Sequence, residues 1–111
     1  MDTGWTVEFL NDIAEAEFDQ LPIEIKAKIV RISQLIEQVG LFSVKEPYVR
    51  HVQDKIWEIR ARGKEKLARS LYTTVTGKRV IILRTFVKKT RKTPKREIEL
   101  ALQRIKEFDH G

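Results

Sequence analysis

The fold is decided by residues 55–88, KIWEIRARGKEKLARSLYTTVTGKRVIILRTFVK, in which apolar and polar side chains alternate in three segments. A period of two rich in Ile, Val, Leu, Tyr and Thr predicts strands over 55–62, 67–75 and 79–88. The connections between them are short and contain Gly63 and Gly77, which favours antiparallel hairpins. We therefore predict a three-stranded antiparallel meander at the centre of the protein.

Helical patterns flank this meander on both sides. Residues 5–9 alternate as a first strand, and Asn11 or Asp12 can cap a short acidic helix that runs to about residue 19, with Ile13, Ala14 and Phe18 facing inward.

The clearest helix is predicted over 22–39, because five apolar residues recur at spacings of three and four: Ile25, Ile29, Ile32, Ile36 and Val39. Pro22 suits its first turn and Gly40 its end. After the meander, Thr93 can cap and Pro94 open a last helix, whose apolar face is Ile98, Ala101, Leu102, Ile105 and Phe108.

These elements predict an α+β fold of order β-α-α-β-β-β-α, with an antiparallel sheet and the helices packed on one face. Residues 40–54 lack periodicity and are interpreted as a loop. No repeat or linker divides the chain, so residues 1–111 are interpreted as a single domain.

Charge is distributed unevenly along the chain. The net charge is +6, yet residues 1–25 contain seven acids and no base. Residues 60–96 contain fourteen Lys or Arg and one acid, Glu65. A basic segment of this density indicates a polyanion such as nucleic acid as the partner, although a solvated basic surface that only aids solubility is the alternative.

Several classes of site are unsupported by the sequence. There are no cysteines, so a disulfide framework, a thiolate metal site and a Cys nucleophile are excluded. Only His51 and His110 could serve a histidine metal site or acid–base pair, so neither is expected, and no cofactor is predicted. The longest apolar run, residues 80–83, is far shorter than a membrane span, and we expect a soluble cytoplasmic protein.

The predicted strands carry more cations than a sheet requires. Alternation places Glu58, Arg60 and Arg62 on one face of the first meander strand. Arg60 and Arg69 interrupt apolar strand patterns, so each is either part of a buried ion pair, for which Glu58 is available, or part of a phosphate site.

In the third meander strand, Arg84, Phe86 and Lys88 are predicted to share a face opposite Ile81, Leu83, Thr85 and Val87. Tyr72 and Phe86 offer rings that can stack unpaired bases, while aromatic residues on strands more commonly belong to the core.

Three motifs carry a family resemblance: DKIWEIR (54–60), ARSLY (68–72) and VIIL…FVKKTRKTP (80–94). Together they resemble the phage-derived HigB branch of the RelE/ParE superfamily of bacterial toxins, in which a "W-E-(L/I)-R" strand, an "R-x-x-Y" strand and "F-x-K-K-T-x-K-T-P" recur. The resemblance covers about residues 50–108 by motif, and the segment FVKKTRKTP is its most specific part.

The resemblance implies a RelE-like fold and a ribosome-dependent mRNA endoribonuclease of a type II toxin–antitoxin module. Such toxins need no metal, because a ribose 2′-OH attacks the adjacent phosphate. The matching positions imply Arg60 and Arg69 as phosphate ligands. They also imply that one of Lys88 and Lys89 is an acid–base group and the other an electrostatic clamp, without deciding which.

Further RNA contacts are expected from the surrounding cations and rings: Arg62, Lys64, Tyr72, Arg84, Phe86, Arg91 and Lys92. Some RelE relatives place a catalytic tyrosine near the C-terminus, whereas no Tyr follows Tyr72 here, so the general base stays open.

The resemblance also implies partners. These are a helix-turn-helix antitoxin, the ribosome with its mRNA, and operator DNA only through the antitoxin complex. The sequence is also compatible with two alternative functions. One is a non-catalytic RNA- or ribosome-binding module, and the other is a phage-derived co-repressor that acts with its antitoxin.

Overall fold

The computed structural model describes residues 3–88 and 92–110. In these ranges the chain forms eight helices and strands in the order β1 (Thr6–Phe9), α1 (Asp12–Asp19), α2 (Ile23–Val39), β2 (Val49–Gln53), β3 (Ile56–Arg62), β4 (Leu67–Val75), β5 (Arg79–Lys88) and α3 (Lys95–His110), with a single 3₁₀ turn at Leu41–Ser43. The α+β class and the predicted elements are confirmed. The predicted meander is β3–β4–β5.

The strands of the described chain form one sheet in the order β1-β5-β4-β3-β2. The meander is antiparallel as predicted, but β1 pairs with β5 in parallel, so the sheet is mixed rather than antiparallel. The prediction of a loop over 40–54 is wrong in its last part, because β2 (Val49–Gln53) is an edge strand antiparallel to β3. Its side chains do not alternate in polarity, so only backbone pairing with β3 defines it.

The two N-terminal helices follow their capping signals. Asn11 Oδ1 accepts a hydrogen bond from the Ala14 backbone N–H at 2.9 Å, which starts α1 as expected. Ile13, predicted to face inward, is 62% exposed. Helix α2 ends at Gly40, whose φ of 88° lies in the region that glycine adopts without strain.

The sheet separates two apolar clusters. Phe18 of α1 and the isoleucine stripe of α2 pack with Tyr72 and Ile82 on one face. Ala101, Leu102 and Ile105 of α3 pack with Leu71 and Leu83. Because Leu71 and Tyr72 are neighbours on one strand, the two clusters lie on opposite faces. The prediction of helices on one face therefore describes α1 and α2, while α3 covers part of the other.

A bulge in β5 changes the predicted alternation. Leu71 pairs with Arg84 and Tyr72 with Ile82, so Leu83 is the extra residue. Arg84 and Phe86 consequently share a face with Leu83 instead of lying opposite to it. An inserted residue shifts every following side chain to the other face of the strand.

Among the residues described, none of the helices has the length and apolar content needed to cross a bilayer.

Candidate functional site

The pairing of β3, β4 and β5 places four charged side chains together on the sheet face that α3 partly covers. Arg60 of β3 lies directly opposite Arg69 of β4. Glu58 is two residues before Arg60 on the same face of β3, opposite Leu71. Lys88 of β5 lies opposite Leu67. We call Glu58, Arg60, Arg69 and Lys88 the basic site.

Glu58 is the centre of the basic site. Its Oε2 lies 3.4 Å from Nε of Arg60 and 3.4 Å from Nε of Arg69. Its Oε1 accepts a hydrogen bond of 2.7 Å from Oγ1 of Thr93, which precedes α3. The ion pair with Glu58 that the strand pattern allowed is therefore present for both arginines.

The two guanidinium groups are incompletely satisfied. In the described chain, the buried side-chain nitrogen or oxygen atoms that lack a hydrogen-bond partner are Nε of Arg60 and Nε of Arg69. Both are within ion-pair distance of Glu58 without hydrogen-bond geometry. One carboxylate thus faces two cations, and the excess positive charge favours an additional anion.

Exposure divides the roles of the two arginines. The Arg69 side chain is 3% exposed and donates through Nη1 to the Ala68 carbonyl at 2.9 Å. The Arg60 side chain is 24% exposed. Arg60 is exposed enough to meet an incoming anion directly, whereas Arg69 could influence one mainly through the field of its buried charge.

The basic site lowers two pKa values. Burial, followed by the nearby Arg69, lowers the pKa of Lys88 to about 8. Burial also lowers the pKa of Arg69, partly offset by Glu58, with Arg60 adding to the lowering. With a pKa of about 8, roughly a tenth of Lys88 is neutral at pH 7 and able to accept a proton.

Other predicted RNA contacts lie at the edges of this face. Arg62, Lys64 and Lys92 are exposed, the first two at and beside the β3–β4 hairpin. Lys89 and Arg91 lie outside the described residues.

Arg84 is engaged elsewhere. It contacts Glu97 of α3 at 2.8 Å and Glu17 of α1 at 2.9 Å, and the hydrogen bond to Glu97 is the largest cause that raises its pKa. Arg104 donates to Glu17 as well, at 2.7 and 2.8 Å. This four-residue network holds α3 to the sheet and to α1.

The two predicted stacking rings are in the core. Tyr72 is 1% exposed on the α2 side of the sheet, and burial raises its pKa. Phe86 is 7% exposed in the α3 cluster. Neither ring is part of the basic site.

Sequence reasoning missed the contacts of four residues: Glu17, Thr93, Glu97 and Arg104. Only Thr93 carried a signal, as a helix cap. Asp19, another of the acidic N-terminal residues, lies 3.6 Å from Nζ of Lys26. The described residues hold no cluster of three or more His, Asp or Glu arranged for a metal ion.

Comparison with known proteins identifies a family. The family model described as "Phage derived protein Gp49-like (DUF891)" matches residues 16–106, which include every residue of the basic site. A search of curated proteins finds no match. Because the matched range spans most of the 111 residues, the chain belongs to the phage-derived Gp49-like family.

Proposed function

We propose that this Gp49-like protein is the toxin of a type II toxin–antitoxin module and acts as a ribosome-dependent mRNA endoribonuclease. The observation that carries the proposal is the basic site, where two arginines share one buried carboxylate beside Lys88, whose pKa is lowered to about 8. Cleavage of RNA by its own 2′-OH needs these two things, cations for phosphate and a group that can take up a proton near neutral pH.

In the proposed reaction the 2′-oxygen bonds to phosphorus and the bond to the 5′-oxygen breaks. Neutral Lys88 accepts the 2′-OH proton, and a proton from a cationic group or water goes to the leaving 5′-oxygen. The products are a 2′,3′-cyclic phosphate and a 5′-OH, with no cofactor consumed. Arg60 binds the phosphate and, with Arg69, stabilises the extra negative charge of the phosphorane.

Glu58 has a positioning role in this proposal. It holds Arg60 and Arg69 side by side, although each repels the other, and it ties Thr93 to the same place. Lys89 and Arg91 remain predicted contributors to clamping and RNA contact. So do Arg62, Lys64 and Lys92, which are exposed around the site.

The proposed partners are a helix-turn-helix antitoxin, the ribosome with its mRNA, and operator DNA reached through the antitoxin complex. The family match supports a toxin-type module, and the basic site supports RNA as its target.

Primer extension on a defined mRNA, with and without translating ribosomes, tests the proposal. Cuts in phase with codons that require ribosomes are the expected result. Cuts on naked RNA would replace the ribosome-dependent activity with a free ribonuclease. With folded protein, no cuts in either reaction would leave RNA binding or co-repression as the function.

The matched variants are Arg60→Ala, which should slow the cutting by about 10²- to 10³-fold, and Arg79→Ala, which should retain it. Arg79 forms its ion pair with Glu8 at the opposite edge of the sheet, so it tests loss of a cation without touching the basic site.

A further inference from the structure

A groove of about 900 Å³ lies between α2 and the ends of β3 and β4. We call it the α2 groove. Arg60 and Arg69 line one end, where the groove reaches the basic site on the other face of the sheet, and Tyr48, just before β2, lines its side. Its volume is near the upper end of pockets that enclose small ligands.

One stripe of α2 forms the other wall. Four exposed residues recur along it at spacings of three, three and four: Lys28, Arg31, Gln34 and Gln38. This stripe is next to the isoleucine stripe that packs on the sheet, so the core fixes the direction in which it points.

The charged residues that line the α2 groove are all cations, and two of them, Arg60 and Arg69, are paired with Glu58 beside it. Its lining in the described chain includes five cations and no carboxylate: Lys28, Arg31, Arg60, Arg62 and Arg69. A groove lined this way attracts a polyanion, and the closely spaced cations suit consecutive phosphates.

Tyr48 adds a feature that a solvated basic surface lacks. The residue is 48% exposed, so a large part of its ring is accessible. The Tyr48 carbonyl accepts a hydrogen bond of 2.8 Å from the Arg60 backbone N–H, which places Tyr48 directly beside Arg60 in the groove. An exposed ring beside phosphate-binding cations is the usual arrangement for holding single-stranded RNA.

We propose that the α2 groove binds the nucleotide next to the scissile phosphate, with its base on Tyr48 and the adjoining backbone phosphate on Lys28 and Arg31. The amides of Gln34 and Gln38 can each donate to and accept from a base edge, so they are the groups here that can distinguish one base from another. This inference rests on the proposed endoribonuclease function and adds a substrate subsite to it.

The test measures binding of short fluorescein-labelled single-stranded oligoribonucleotides by anisotropy at low salt. Tyr48→Ala should weaken binding roughly five- to a hundredfold, the range for one stacked base, and Tyr48→Phe should restore it. Arg31→Glu should weaken binding at every sequence and reduce its salt dependence. Lys106→Glu is the matched control, because Lys106 is exposed on α3 and does not line the groove.

Two results would overturn the proposed subsite. One is that Tyr48→Ala binds the oligoribonucleotide as tightly as the wild type does, and the other is that Arg31→Glu and Lys106→Glu lose the same amount of affinity. A wild-type protein that binds no oligoribonucleotide at low salt would overturn it as well. Primer extension keeps the two proposals apart. If codon-phased cutting persists while the binding test fails, only the subsite is wrong. If ribosomes and RNA give no cuts although Tyr48 and Arg31 control binding, only the nuclease activity is wrong.

Discussion

Arg69 and Glu58 form an ion pair in the interior, with Nε 3.4 Å from Oε2 and side chains that are 3% and 5% exposed. Burial of a charge is costly, so each member of the pair depends on the other. Arg60 uses the same carboxylate from a more exposed position, where it can also reach a ligand. One carboxylate therefore links the stability of the sheet to the arrangement of the proposed phosphate ligands.

Glu58→Gln should lower the free energy of unfolding by about 3 to 5 kcal/mol, because Arg69 would lose its buried counterion. Urea denaturation measures the change. Glu46→Gln is the matched control: Glu46 pairs with Arg50 at 3.4 Å, but both side chains are more than half exposed. That variant should change stability by less than about 1 kcal/mol. Similar losses in the two variants would contradict the dependence of Arg69 on Glu58.

Arg60→Ala should reduce the rate of codon-phased cleavage by about 10²- to 10³-fold, the usual effect of removing one donor to a charged transition state. Arg60 is the better target than Arg69, since Arg69→Ala would also strand the buried Glu58. Single-turnover cleavage on programmed ribosomes provides the rate, and circular dichroism checks the fold. A rate within about threefold of Arg79→Ala would remove Arg60 from the catalytic assignment.

Cleavage should depend on pH through Lys88. Because its pKa is lowered to about 8 and the neutral amine is the base, the rate should rise by about tenfold per pH unit below that value and level off above it. Lys88→Arg should abolish the rise, since Arg stays protonated. A wild-type profile that stays flat from about pH 6.5 to 9 would assign the base to another group.

Lys88 should also make the stability of the protein depend on pH. The sign is opposite to that of a lysine in an ion pair, because the pKa of Lys88 is lowered rather than raised. Its pKa is lower in the folded state, about 8, than the usual 10.5, so the unfolded chain binds more protons between these values. The contribution of Lys88 to the free energy of unfolding should therefore increase as pH rises from about 8 to 10.5. Urea denaturation at both ends of this window, for the wild type and Lys88→Met, measures the difference. An equal pH dependence in both proteins would contradict a depressed Lys88 pKa.

The network around Glu17 should make α3 sensitive to acid. Burial opposes ionisation of Glu17, but hydrogen bonds and charge from Arg104 and Arg84 outweigh it and lower its pKa. The stability that Glu17 provides is present above its ordinary pKa of 4.5 and is lost as pH falls below it. Thermal unfolding from neutral pH to about pH 3 should show a smaller acid-induced loss in Glu17→Gln than in the wild type. Identical losses would assign acid sensitivity to other carboxylates.

Local pattern was enough to predict most elements of this protein. The period of two in residues 55–88 placed Glu58, Arg60 and Arg62 on one strand face, and the structure agrees. The isoleucine stripe of α2, its start within one residue of Pro22 and its end at Gly40 were also predicted, because caps and periodicity depend on neighbours a few residues away.

Long-range pairing decided the rest. Strand β2 has no polarity pattern and exists through its bonds to β3. The parallel pairing of β1 with β5 joins residues more than seventy positions apart, and the bulge at Leu83 depends on register with β4. None of these is encoded by the spacing of side chains within one segment.

The candidate site divides in the same way. The sequence by itself supplied its residue types, with cations at alternating strand positions and a nearby carboxylate. Only the tertiary structure decided that Arg60 and Arg69 lie opposite each other on one buried Glu58, and that Tyr72 and Phe86 pack in the core. The physical reason is that a side chain's period fixes its face on a strand, whereas its neighbours and its exposure depend on which strand and helix pack against that face.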